Sequence, residues 1–498
     1  MRRPLGITPD GRLKAGRLAG LTMGGAIWVL SWPVMVESFL NSVVGLTDTV
    51  LAAGIDEATT DAVGVATYTM WFVGLVIMAL GMGATAVISR SIGKRRMAVA
   101  SAALGQSILL AAVFGVLLGV VLWLTAPVFA SMVRMSEEAR GAFLTYTRIL
   151  AWGVPFETVM FVGIACARGA GDNMTALKTM VVRNIVNVCV SFCLAGVDLT
   201  STRIVDGQTI TTVLVGNPFD LHWGVHGIAW GTVCADVVGV VMVLRAAFSG
   251  KWGITLLRKR LRPHWHTMMR IVRVGLPNFL ETLGMWFGNF MVLIVVGFLN
   301  SPGLFGAHSL AIRIEAFSFL PGFSMGIAAA TLAGQYLGAG SPELAKRAIL
   351  VCTGVSAAFM GGASVLLLTI PEPIVGLMSS QPTHLAVTPG LLMLAGCVQV
   401  PFAVSIVFRQ ALRGVGDVKC VMWITWITTY AIRLPLAWLL SGADVPVPEW
   451  AGGGIIHNPS PVAWGLWGLW LGLCGEITIR AAIFAWRFFG GAWVRAKV

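Results

Sequence analysis

Twelve long, mainly apolar runs govern what this chain can fold into. They lie near residues 21–47, 62–88, 98–124, 142–168, 175–197, 224–248, 268–299, 305–334, 346–370, 385–411, 419–441 and 463–488. A helix needs about 20 apolar residues to cross a bilayer core of about 30 Å. Inside lipid, only helices and closed barrels pair every backbone polar group, and uninterrupted runs of this length select helices. The chain is 57% hydrophobic and 11% charged, against about 25% charged in a soluble domain. That composition cannot clothe a water-facing surface, and it also excludes a disordered, collagen-like or disulfide-framework protein. Pro33, Pro155, Pro277, Pro321, Pro401 and Pro435 interrupt several runs, which a membrane helix tolerates where a soluble one would break. The expected fold class is an all-α polytopic membrane protein with twelve transmembrane helices.

Charge placement predicts the orientation. The net charge is +13, yet the basic residues sit in short stretches between apolar runs rather than along one face. This argues against nucleic acid as a partner and for membrane sidedness. With both termini cytoplasmic, all of the 35 Lys and Arg residues except Arg134, Arg140, Arg148, Arg203, Arg313 and Arg433 fall in or beside the inner segments. Acids such as Asp56, Glu57, Asp61, Asp198, Asp206, Asp444 and Glu449 mark the outer loops. The basic start of the chain runs into the first apolar stretch without a convincing cleavage site, so it reads as a retained first helix in the cell (inner or plasma) membrane. The eight cysteines form no CxxC pair, and neither a metal site nor a cofactor is expected.

The chain repeats itself. Trp32-Pro33-x-x-x-Glu37-Ser38 is echoed by Leu276-Pro277-x-x-x-Glu281-Thr282, 244 residues later. Gly81 and Gly93 recur as Gly326 and Gly338, and Arg168-Gly169-Ala170-Gly171-Asp172 recurs as Arg413-Gly414-Val415-Gly416-Asp417, both 245 residues on. Late in each half, Gly227 and Gly231 match Gly468 and Gly472. Such a constant offset marks a duplication. Six helices per half implies two pseudo-symmetric lobes entering the membrane the same way, with a cleft between them. The expected organisation is a cytoplasmic tail at 1–20, an N-lobe at 21–248, a basic cytoplasmic linker at 249–267, a C-lobe at 268–490 and a cytoplasmic tail at 491–498.

Pro33 followed by Gly45-Leu46-Thr47-Asp48-Thr49, the paired RGxGD motifs and Gln335-Tyr336-Leu337-Gly338-Ala339-Gly340 resemble the multidrug and toxic compound extrusion (MATE) family, most nearly its prokaryotic DinF-like branch. The resemblance covers essentially the whole chain. It implies a secondary active antiporter exporting small organic, often cationic, compounds in exchange for H⁺ or Na⁺ by alternating access of its lobes. Within lipid the protein is expected to act as a monomer.

Charges inside spans cost about 2.5–3.5 kcal/mol each on insertion scales, so each needs a partner or a hydrated cavity. Asp48 stands 15 residues after Pro33, where the family resemblance implies the coupling carboxylate of the N-lobe, or Na⁺ bound nearby. Burial favours the neutral form of a carboxyl, the property proton coupling requires. The competing reading is an aspartate near the helix end that simply reaches water. Tyr146 and Asn187 match family positions that hydrogen-bond around such an Asp, and Ser191 stands where archaeal members carry a second one. Pro33 and Pro277 are candidate hinges. Glu37 and Glu281, each one turn past a proline, either face the cleft and attract cations or bond a carbonyl freed by that proline. Arg313 and Glu315 share the eighth span two residues apart and are candidate substrate or cleft residues; the competing reading is a structural interhelical salt bridge from Arg313 to Glu281. The string Gly322-Phe323-Ser324-Met325-Gly326 imitates a nucleophile elbow, but it lies in an apolar helix rather than a strand–turn–helix. Alternative functions are a lipid-linked oligosaccharide flippase, whose relatives have fourteen spans and a strongly basic cavity not expected here, or a membrane-embedded enzyme, for which no catalytic constellation is present.

Overall fold

Each apolar run becomes a helix, started and stopped by local chemistry. In the computed structural model, which describes residues 6–132, 135–205, 208–219, 221–299, 303–379, 381–446 and 453–496, the first half contains six long helices. They are α1 (Met23–Ala53), α2 (Glu57–Gly93), α3 (Met97–Met132), α4 (Glu137–Ala170), α5 (Asn173–Ala195) and α6 (Val225–Phe248). An antiparallel hairpin of β1 (Leu199–Val205) and β2 (Gln208–Val215) joins α5 to α6. The Asp56 carboxylate caps α2 by accepting from the Thr59 N–H at 2.6 Å, and the Ser136 hydroxyl caps α4. Asp206, Glu449 and Arg134, used above for orientation, lie outside the described residues.

The second half begins with α7 (Trp265–Phe298), α8 (Leu304–Gly338) and α9 (Pro342–Thr369), then the short α10 (Pro371–Gly376). It continues with α11 (Pro382–Cys397), α12 (Gln399–Gly414), α13 (Val418–Ile427) and α14 (Leu434–Ser441), and ends with α15 (Gly465–Phe489). A small ladder pairs β3 (Val445–Pro446) with β4 (Ile455–Ile456). There Asp444 accepts from the Asn458 N–H at 2.8 Å, which holds its carboxyl below the usual carboxylate range. Eleven helical spans among the described residues are long and apolar enough to cross a membrane, and the bent pair α11–α12 makes a twelfth.

Two spans depart from the continuous helices expected. The run near 385–411 bends by 58° between Cys397 and Gln399. Pro401 has no N–H to return to the Cys397 carbonyl, and the Ser364 hydroxyl takes the Gly396 carbonyl at 2.6 Å. The run near 419–441 is interrupted by a π-helical segment, Thr428–Arg433, between α13 and α14. Such segments widen the turn and re-aim side chains.

Many large apolar side chains point outward: Val113, Val116, Leu117, Val120 and Leu124 are all exposed on α3. An apolar face of that extent belongs against lipid, not water.

Packing divides the chain into two compact units, one of Ala15–Ala19 and Trp32–Gly275, the other of Met1–Lys14, Gly20–Ser31 and Leu276–Val498. Their boundaries fall inside α1 and α7, immediately before Pro33 and Pro277, rather than in the basic segment 249–267. That segment is folded onto its own unit. Trp252 is fully buried and donates its indole N–H to Thr175 Oγ1 at 3.3 Å, while the Gln106 amide donates to the Arg260 and Arg262 carbonyls. Apolar residues among the basic ones anchor it.

The repeat persists in the packing of each unit. A Cβ on Gly169 would lie 2.9 Å from the Thr85 carbonyl oxygen, and one on Gly414 would lie 2.6 Å from Ala330 Cα. Thr85 and Ala330 are themselves 245 residues apart. The last glycine of each RGxGD motif, Gly171 at φ +90° and Gly416 at φ +91°, takes the left-handed conformation that turns the chain. Gly414→Val should therefore lower the thermal unfolding temperature in detergent, at a cost of about 1–3 kcal/mol for overpacking. Gly64→Ala, where nothing lies within 4 Å of the added carbon, should leave it unchanged or slightly raised.

Candidate functional site

In the amino-terminal unit, four helices converge on Asp48. Asp48 of α1 is 8% exposed, and its Oδ2 accepts from the Tyr146 hydroxyl of α4 at 3.3 Å and the Thr232 hydroxyl of α6 at 3.4 Å. The Asn187 amide of α5 donates to Thr232 Oγ1 at 3.0 Å and to Ser191 Oγ at 3.5 Å, and Ser191 donates to the Ile228 carbonyl. Asp48, Tyr146, Asn187 and Ser191 therefore form one connected network. Thr232 is its missing link, and sequence reasoning overlooked it. The available signal was Gly231, one residue earlier: a Cβ there would sit 2.6 Å from the Ser191 backbone nitrogen, so α5 and α6 touch at this level. Asp48 Oδ1 is buried with no hydrogen-bond partner among the described residues. A buried oxygen with open lone pairs is able to receive a proton.

A second charged cluster lies in the same unit. Arg183 of α5 donates through Nε to Asp236 of α6 at 2.6 Å, and Glu157 of α4 interacts electrostatically with both. Arg183 was counted with the inner basic segments, but it is 7% exposed and serves as a buried counter-ion.

Glu37 and Glu281 find the same partner in both halves. Glu37 is 2% exposed and meets Arg168 at 2.5 Å. Glu281 is 0% exposed, and its Oε2 receives both Nε (2.8 Å) and Nη2 of Arg413, while its Oε1 accepts from the Thr425 hydroxyl at 2.8 Å. In both halves the partner is thus an arginine of an RGxGD motif. Seven residues past each proline a carbonyl is taken by a neighbouring segment: the Asn184 amide donates to the Leu40 carbonyl, and the Tyr430 hydroxyl to the Gly284 carbonyl. The expected pair between Arg313 and Glu281 does not form. Arg313 is exposed, and the arginine of the second RGxGD motif occupies that carboxylate. Pro33 and Pro277 lie within continuous helices.

The carboxy-terminal unit contains a cavity of about 360 Å³. Glu315 lines it, together with Arg409, Arg433 and Arg480. Arg433 and Arg480 both bind Glu476, at 2.8 and 2.6 Å. The motif alignment concealed this cavity, because its arginines belong to no repeated motif. Among the described residues no group of His, Cys, Asp and Glu is arranged to hold a metal ion.

A bundle of long apolar helices whose interior charges are paired with one another is that of a polytopic membrane protein. The chain belongs to the MatE family, whose profile matches twice, over residues 33–193 and 277–439. Each match begins at one of the paired prolines. The chain is 26% identical over 473 residues to a probable multidrug resistance protein NorM of Thermotoga maritima, covering 94% of this chain and 93% of that one. It is 24% identical to the multidrug resistance protein MdtK of Pectobacterium atrosepticum, covering 86% and 90%. A solved structure described as an outward-facing multidrug resistance MATE family transporter of the MOP superfamily shares the fold, with a TM-score of 0.81 at 19% identity over 95% of this chain and 97% of that one.

Glu281→Gln would strand Arg413 without its countercharge, a loss of about 3–5 kcal/mol for a broken buried pair. Glu37→Gln should cost less, because the Arg168 side chain is 21% exposed against 4% for Arg413. Thermal unfolding in detergent should rank the two variants in that order, and the double change Glu281→Leu with Arg413→Met should recover much of the loss.

Proposed function

We propose that this protein is a secondary active multidrug efflux antiporter of the cell membrane, exporting organic, often cationic, compounds in exchange for H⁺ or Na⁺. Its two halves give access to opposite sides in turn, with both termini cytoplasmic and the protein acting as a monomer in lipid. The names carried by its relatives support the class of cargo. The observation that carries the coupling assignment is Asp48: a buried carboxylate with one oxygen on two hydroxyls and the other without a partner among the described residues.

In this reading Asp48 takes up the coupling ion. A proton needs only an oxygen with an open lone pair, and Oδ1 supplies it. A Na⁺ ion would instead need several oxygens gathered around it, drawn from Tyr146, Thr232, Asn187 and Ser191. Neutralising Asp48 changes what its hydroxyl and amide neighbours bond to, and that rearrangement is transmitted to α1 and α6. Pro33 and Pro277, each one residue past a unit boundary, are the proposed hinges. Glu37 and Glu281 act as fixed internal counter-ions that let the arginines of the RGxGD motifs lie in the bundle. No cofactor is required.

Asp48→Asn should express and purify normally, yet abolish gradient-driven efflux in proteoliposomes. Applying pH and sodium gradients separately identifies the ion: a response to the pH gradient alone is expected for proton coupling. Undiminished drug efflux by Asp48→Asn would overturn the assignment.

A further inference from the structure

The duplication makes each half a control for the other, and the two halves differ most in their polar interiors. Asp48 and Glu157 correspond at an offset of 245 to Leu293 and Phe402, and Thr232 corresponds to Leu473 at the offset of 241 that relates Gly227 to Gly468. All three replacements line the cavity of the carboxy-terminal unit. In the opposite sense, Ile164 of the first half corresponds to Arg409 in the second. Acidic and hydroxyl groups have become apolar at these positions, and an apolar one has become a guanidinium.

The cations around the cavity exceed the anions. Arg409, Arg413, Arg433 and Arg480 face Glu281, Glu315 and Glu476. Glu476 is shared by Arg433 and Arg480, and Glu281 is taken by Arg413 and Thr425. Arg409 has the weakest of these pairings. Its ion pair with Glu281 Oε1 is long, at 4.0 Å; its Nη1 rests on the Met285 sulfur; and its buried Nε has no hydrogen-bond partner among the described residues. Glu315 is on the cavity wall under the influence of Arg433. Trp470 donates its indole N–H to His308 Nδ1 at 3.0 Å, so a neutral His308 carries its own proton on Nε2. Phe319, Phe323 and Phe402 supply an aromatic wall. An excess guanidinium in so apolar a place is costly unless an anion accompanies it, and a cavity of about 360 Å³ is in the range that holds drug-sized ligands.

We propose that the cavity of the carboxy-terminal unit is a binding site for an aromatic or amphipathic organic anion, whose acidic group is held by Arg409 with Arg433 and Arg480 behind it. The site is independent of Asp48 and goes beyond the proton-coupling reading. The two halves would then carry sites of opposite charge preference, an acid-lined one for the coupling ion and a guanidinium-lined one for anionic cargo.

The test is calorimetric titration of the full-length protein in zwitterionic nanodiscs with 1-naphthalenesulfonate, against 1-naphthyltrimethylammonium of the same shape and opposite charge. Empty nanodiscs supply the baseline. Saturable binding of the sulfonate, with the cation binding at least tenfold more weakly, is expected. Arg409→Gln should weaken sulfonate binding about tenfold or more, as for loss of a charge-assisted contact, and Arg409→Lys should retain most of it. Leu293→Asp, which puts a carboxylate in the wall, should weaken it too and carries the test if Arg409→Gln fails to fold. A polyprenyl phosphate that competes with the sulfonate would identify a lipid headgroup as the occupant, and absence of competition would identify a soluble anion. Asp48→Asn should bind the sulfonate normally even where its efflux is lost, which separates failure of this site from failure of the coupling assignment. No saturable sulfonate binding, equal binding of the cation, or Arg409→Gln within twofold of the parent would overturn the proposal.

Discussion

A charge in a hydrocarbon interior must bring its opposite with it, and most of this structure's distinctive geometry follows from that requirement. Glu37 and Glu281 lie among apolar residues of α1 and α7, so α1 must meet the arginine that ends α4, and α7 the one that ends α12. Those arginines reach inward because the glycine beside each, Gly169 or Gly414, lets its helix press against α2 or α8 where a side chain would intervene. The RGxGD motif is thus a packing device and an electrostatic one at once. Its arginine neutralises a neighbouring helix, its first glycine permits the approach, and its second turns the chain. Its aspartate serves the following helix in different ways: Asp172 caps α5 and receives Arg17, whereas Asp417 pairs with Arg487 of α15.

The number of spans, the duplication and the family were legible because they are written in long-range patterns: run length, a constant offset and paired motifs. Partners across helices were not legible in the same way. Arg313 lies nearer to Glu281 in sequence than Arg413 does, and simple proximity favoured it, but helix rotation puts Arg313 on an exposed face. The RGxGD arginines counted among the inner basic residues because they close a span. Only the three-dimensional contact of α4 with α2 and of α12 with α8 turns them inward. The network at Asp48 was readable in four of its members through the resemblance. Thr232 was not, since a threonine in an apolar helix more often bonds its own backbone; here its one hydroxyl proton is shared between Asp48 and the Ile228 carbonyl, each at 3.4 Å. The bend at Val398 and the π-helical segment at Thr428–Arg433 carry no run-length signal at all.

Divergence after duplication followed the same physics. The framework pairs Glu37–Arg168 and Glu281–Arg413 could not be lost singly, because either orphan would be a bare charge in lipid. The functional groups could change, provided each new charge found compensation. The first half retained Asp48, with Glu157 and Asp236 gathered on Arg183. The second half has Leu293 and Phe402 in place of Asp48 and Glu157, keeps an acid on its last helix as Glu476, and gathers arginines on it. The scaffold kept its symmetry while its contents drifted to opposite polarity.

The unit boundaries lie in the middle of helices, and this has a consequence for how the gene came about. Residues Gly20–Ser31 pack with the second half and the start of α7, through Gly275, with the first. Two proteins cut apart at the connecting loop would each hold a segment that completes the other, as in exchanged-arm dimers. An unduplicated ancestor with this architecture would have been an obligate pair of intertwined subunits, and fusing the two copies would have converted a concentration-dependent association into a permanent one.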